Sequence, residues 1–152
     1  MCIAAGAGLA PFRGFIQERA RMIAAGRKNL APALLFFGCR SPDRDDLYRE
    51  EMDEWEKIGA VDVRRAYSRK PEDSEGCKYV QDRMLKDMKD LLEVWQQGAK
   101  VFVCGSSRVG EAVKEAILKI RKDSGQGADD DEKDREWFEG LRNIRYVTDI
   151  FD

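Results

Sequence analysis

Apolar and polar positions along this chain fall into two alternating patterns. Short, nearly continuous apolar runs occur at Met1–Ala5 (MCIAA), Ala33–Cys39 (ALLFFGC) and Lys100–Cys104 (KVFVC). Two further runs rich in β-branched and aromatic residues lie at Val61–Ser68 and Ile144–Phe151. Runs of this length and composition predict strands, and the continuous ones predict strands covered on both faces. Between them, apolar residues recur three and four positions apart. The clearest case is the helix predicted over 79–97, where Val80, Met84, Met88, Leu91, Leu92 and Trp95 share one face. Further helices are predicted from Pro11 to about Gly26, over 43–57 with an acidic first turn, over 109–122, and into about Leu141 after a polar loop.

Strand and helix alternate throughout, with no internal repeat. This order predicts an α/β fold: a doubly wound, five-stranded parallel sheet with right-handed crossovers and helices on both faces. In such a sheet ligands bind at the carboxyl ends of the strands, where the strand order reverses. A length of 152 residues suits one domain. A chain that starts inside a strand is expected to be a piece of a larger protein.

Composition narrows the chemistry. The chain has no histidine, which excludes Ser-His and Cys-His catalysis within it and removes the commonest metal ligand. Cys2, Cys39, Cys77 and Cys104 are scattered with no CxxC pair, so no metal site is expected and a reduced, cytoplasmic protein is the simplest reading. A net charge of −2 gives no electrostatic grip on nucleic acid or anionic lipid. No apolar run approaches the ~20 residues of a membrane span, and no secretory leader is expected.

Each polar signal follows a predicted strand. Gly6-Ala7-Gly8-Leu9-Ala10-Pro11 joins the first strand to the first helix. Glycines there let backbone approach a phosphate at a helix N-terminus; a tight turn with no ligand is the other reading. Proline replaces the third glycine of the usual dinucleotide fingerprint. Arg40, not an acidic residue, closes the second strand, which suits phosphate over a ribose hydroxyl. Ser68 and Arg69 follow the third strand and can share a phosphate, with Tyr79 placed to stack on a base; a solvated basic turn is equally open. Cys104-Gly105-Ser106 ends the fourth strand, where Cys104 is either a small core residue or a thiol facing a cofactor ring.

Together these segments resemble the NADPH-binding domain of the diflavin reductases, within the ferredoxin-NADP reductase family. GAGLAPFRGFIQER is similar to their GTGLAPFRGFIQER segment. LLFFGCRSPDRDDLYREEMDEW, AYSR, YVQDRM, VFVCGSSRVGEAV and RYVTDIFD resemble further family blocks in the same order. The resemblance runs along essentially the whole chain, and SSRVGEAV is most similar to the reductase part of fungal self-sufficient P-450 monooxygenases. It implies that residues 1–152 form an NADP(H)-binding domain that positions NADPH for hydride transfer to FAD. The FAD would be held by an adjoining barrel domain of the same parent, with FMN and haem domains beyond.

The resemblance also implies individual roles. Gly6, Gly8 and Arg40 would hold the pyrophosphate. Ser68 and Arg69 would bind the 2′-phosphate, with Lys78, Tyr79 and Gln81 beside it. Gly105 and Ser106 would lie against the cofactor. Cys104 and Asp149 would tune hydride transfer, and Phe151 would cover the flavin. Four positions depart from the pattern. Ala7 replaces a threonine, Lys78 is shifted by one with Cys77 in its place, Ser106 replaces an aspartate, and Asp152 follows the aromatic. The alternative function is a flavodoxin-like phosphate-binding interaction module, against which the GAG loop counts.

Overall fold

Five parallel strands form one sheet in the order β3-β2-β1-β4-β5. They are β1 (Cys2–Ala5), β2 (Leu34–Cys39), β3 (Asp62–Tyr67), β4 (Val101–Gly105) and β5 (Tyr146–Ile150). The computed structural model describes all 152 residues. The chain winds outward from β1 through β2 to β3, then returns to place β4 on the other side of β1. The order therefore reverses between β1 and β4, as expected of a doubly wound sheet. A flavodoxin-like sheet has the order 2-1-3-4-5, so that topology is not this one.

The alternation of side chains along β2 explains why its run is apolar throughout. Leu34 and Phe36 join one core layer, and Leu35, Phe37 and Cys39 join the other. The first layer packs under α3 (Val80–Lys86), α4 (Met88–Gln96), α5 (Ser107–Asp123) and α6 (Asp131–Gly140) through Met84, Leu91, Val113, Ala116, Ile120 and Phe138. The second packs under α1 (Ala10–Ala24) and α2 (Arg49–Lys57) through Phe12, Ile16, Ala20 and Met52. Helices thus cover both faces.

Two predicted helices differ from expectation. The segment expected as one helix over 43–57 is helical only from Arg49, because Tyr48 takes a left-handed conformation with φ of 54°. The acidic residues Asp45 and Asp46 are not first-turn helix residues; they fold back to anchor the loop. The helix expected over 79–97 breaks at Asp87, whose carboxylate accepts from Arg83 at 2.7 Å and lies 3.1 Å from Arg64. That tie holds α3 to the outer strand β3.

Candidate functional site

The GAGL segment folds into a 3-10 turn, Gly6–Leu9, between β1 and α1. Its two glycines serve different needs. Gly6 has φ of +56°, a backbone conformation that side chains strain. Gly8 is buried beneath the turn, where a Cβ would stand 2.1 Å from the carbonyl oxygen of Cys104. The missing side chain lets this turn lie against the end of β4, directly at the reversal in strand order.

A groove of about 390 Å³ opens above the carboxyl ends of β1, β2 and β3, between the start of α3 and the start of α5. Gly6, Arg40, Ser68, Lys78, Tyr79 and Gln81 all line it, joined by Asp45 and Arg108. Gly38 lets the start of α3 pack closely on β2: a Cβ there would stand 3.0 Å from Val80, the first residue of α3. Tyr79 caps that helix with its side chain half exposed, and its N–H donates to Asp82 at 2.9 Å. Arg69 is exposed just past Ser68, outside the groove lining. Arg69, Lys78 and Arg108 take part in none of the protein's 20 ion pairs, one of which, Arg40–Asp45, lies in the groove itself.

The loop carrying Arg40 is fixed from below. The carboxylate of Asp46 is almost fully buried and receives Arg49 at 2.7 Å, the Tyr67 hydroxyl at 2.7 Å and Arg65 at 3.1 Å. It thereby ties the loop after β2 to the end of β3, one residue before Ser68. Asp45 accepts backbone N–H donors from Arg40 and Ser41. Partial burial pushes its carboxyl up, but those N–H groups and the Arg40 guanidinium outweigh that and hold it below the ordinary value.

Cys104, Asp149 and Phe151 are not in the groove. Cys104 and Asp149 sit in register on β4 and β5, and Cys104 belongs to the core layer of α1. Burial pushes the Cys104 thiol up, and the Asp149 charge adds to that. The thiol is therefore no activated nucleophile. Phe151 is half exposed while its backbone N–H donates to Gly105 at 3.0 Å. Asp152 is tied to the start of α5. Its carboxylate accepts from the Ser107 N–H at 3.0 Å and from the Ser107 hydroxyl. Ser106 caps the same helix by accepting from Val109 at 3.3 Å, and Gly105 lets Val109 pack at 3.3 Å from where a Cβ would be.

The predicted residues are thus divided between two neighbouring surfaces at one end of the sheet. Arg108, Asp45 and Gly38 were not singled out from the sequence. Arg108 is one helical position past SS in VFVCGSSRVG, so its only signal was its place in that block. The four cysteines are free, no cluster of metal-ligating side chains is present, and no helix is long and apolar enough to cross a membrane.

A doubly wound parallel sheet with a glycine turn and a cationic groove at its switch point defines a nucleotide-binding α/β domain. Residues 2–115 match the family model for the oxidoreductase NAD-binding domain, and the chain belongs to that family. It is 61% identical, over 155 aligned positions, to a bifunctional cytochrome P450/NADPH–P450 reductase of Fusarium oxysporum, a match covering 100% of this chain and 14% of that protein. Self-sufficient cytochrome P450 monooxygenases of Exserohilum turcicum and Phanerodontia chrysosporium are 52% and 51% identical over 99% and 98% of this chain. The chain spans 14% of the length of each of these relatives.

Proposed function

We propose that residues 1–152 bind NADP(H) across the switch point and present the nicotinamide to an FAD held by an adjoining domain of a P-450 reductase-type parent. The observation that carries this reading is the groove that brings Gly6, Arg40, Ser68, Lys78, Tyr79 and Gln81 together from four separate segments. Gly6 and Arg40 hold the pyrophosphate, with Gly8 setting the turn between them and β4. Ser68 and Arg69 take the 2′-phosphate, and Lys78, Tyr79 and Gln81 embrace the adenosine end. Gly105 and Ser106 steer the nicotinamide ribose over the edge of β4. The cofactors supply the hydride chemistry; Cys104, Asp149 and Phe151 orient and shield the reacting rings.

The shape of the sheet supports the partner. On the α1 side, the outer strand β5 is largely exposed, and next to it the half-buried Phe102 of β4 meets Phe15 of α1, which is 54% exposed, at a ring spacing of 6.3 Å. Cys104 and Asp149 lie on the same side of the sheet as Phe102, two residues along. An FAD-binding domain seated on this face would bring its flavin against them. The four free thiols fit a cytoplasmic setting.

Titrating the chain with NADP+, NAD+ and FMN separately tests the reading. NADP+ is expected to bind most tightly, NAD+ more weakly and FMN not measurably. Equal affinity for NADP+ and NAD+, or tighter binding of FMN, would overturn it.

A further inference from the structure

We infer that Asp45 is a positioning residue for dinucleotide binding, acting through Arg40; this rests on the proposed NADP(H) reading. Arg40 directly follows β2 and lines the groove with its side chain 61% exposed. An exposed arginine is ordinarily spread over many rotamers, and ordering it on a phosphate costs conformational entropy. Asp45 removes much of that freedom beforehand. One carboxylate oxygen accepts from the Arg40 N–H at 3.0 Å and the Ser41 N–H at 3.0 Å, and the other accepts from Arg40 Nε at 3.1 Å. The carboxylate is itself anchored by backbone donors.

The pattern of donors matters more than the count. Asp45 takes only Nε of the guanidinium. The two terminal nitrogens of Arg40 have no hydrogen-bond partner within the protein, so the fork that suits two phosphate oxygens is left free on a residue that lines the groove. A carboxylate bound to that fork would compete with phosphate; a carboxylate bound to Nε steadies it. Asp45 lines the same groove, so simple charge repulsion and positioning make opposite predictions for its removal. Repulsion says that neutralising Asp45 tightens nucleotide binding. Positioning says that it weakens binding, because the guanidinium loses its support.

The test is a double-mutant cycle on the 152-residue chain, with NADP+ affinity read by calorimetry and folding checked by thermal melts. Arg40→Ala should weaken NADP+ by about ten- to a hundredfold, the range for losing a hydrogen bond to a charged group. Asp45→Asn should weaken it by about three- to tenfold in the native background. In the Arg40→Ala background the same Asp45→Asn change should have no weakening effect, because nothing is left to position. Asp45→Glu, which keeps the charge on a longer arm, should fall between Asp45→Asn and the native chain. Should Asp45→Asn melt much earlier, the Glu variant carries the test alone, and native affinity there overturns the inference. Equal weakening by Asp45→Asn in both backgrounds would assign Asp45 a structural role only. Tighter binding would assign it repulsion. A native chain that fails to bind NADP+ would remove the functional reading and this inference with it, whereas native binding lost in Arg40→Ala but unchanged in Asp45→Asn removes this inference alone.

Discussion

The Cβ that Gly8 lacks would stand 2.1 Å from the carbonyl oxygen of Cys104 and 2.7 Å from its carbonyl carbon. Both obstacles are backbone, so no rotamer change relieves the clash. Gly6, two residues earlier, has open space around its missing Cβ and only the penalty of a φ of +56°. The two glycines of one motif therefore differ in what they require.

Gly8→Ala is expected to destabilise the domain by about 1–3 kcal/mol or more, the range for overpacking a core, by pushing the turn off β4. Gly6→Ala should cost about 1–2 kcal/mol, the left-handed penalty alone. Urea denaturation of the two variants checks the order. Equal losses would mean that the turn can lift from Cys104 without resistance.

Arg69→Ala is expected to weaken NADP+ by about 1.5–3 kcal/mol and leave NAD+ nearly unchanged. Arg69 is exposed and free of internal ion pairs, so its removal should leave the melting temperature alone. Calorimetry with both nucleotides decides this. Parallel losses would place the guanidinium on a group that NADP+ and NAD+ share.

Much of this was readable in the sequence, for physical reasons specific to each segment. The β2 run is apolar at every position because each neighbour in it enters a different core layer, so its strand character is written locally. Arg40, Ser68 and Gly6 could be located because each is adjacent to the end of such a strand, and strand ends converge at the switch point. The departures come from contacts distant in sequence. Asp46 looks like a helix-start acid, yet Arg65 and Tyr67 draw it inward across about twenty residues. Asp87 lies in a segment whose apolar stripe runs on regularly past it, yet the helix breaks there, where its carboxylate pairs with Arg64 on β3. Asp45 and Arg108 enter the groove only once α5 and the loop after β2 are folded beside each other.

Cys104 should resist alkylation in the native chain. Burial and the neighbouring Asp149 charge both raise its thiol, and the thiolate is the reactive form. Iodoacetamide labelling at neutral pH, mapped by mass spectrometry with and without urea, should show Cys104 modified far faster once unfolded. In a flavin-containing parent, Cys104→Ala should slow flavin reduction by NADPH while NADP+ affinity stays nearly intact. Rapid native labelling would contradict the burial argument, and normal hydride transfer would leave Cys104 as core filler.

Phe151 and Asp152 are expected to act as a tethered gate. An aromatic ring over the flavin must move before nicotinamide can stack there, and here two ties oppose that motion. One is the Phe151 N–H bonded to Gly105; the other is Asp152 bonded to Ser107 at the start of α5. The Ser107 hydroxyl and N–H hold the Asp152 carboxyl below its ordinary value. A depressed carboxyl keeps its tie above the ordinary carboxylate range and loses it as pH falls through the lowered value. Acidification below the ordinary carboxylate range should therefore free the segment, and Asp152→Ala should free it at neutral pH; backbone relaxation of Phe151 by NMR reads both. In the parent, deleting Phe151-Asp152 should open the flavin face to nicotinamide. NADP(H) affinity should rise and discrimination against NADH should fall, since nicotinamide contacts add binding energy common to both nucleotides. Turnover with NADPH should drop if product release becomes limiting. Steady-state kinetics with NADPH and NADH, with and without these two residues, measures the split. Unchanged affinity and selectivity would mean that the segment plays no part in gating.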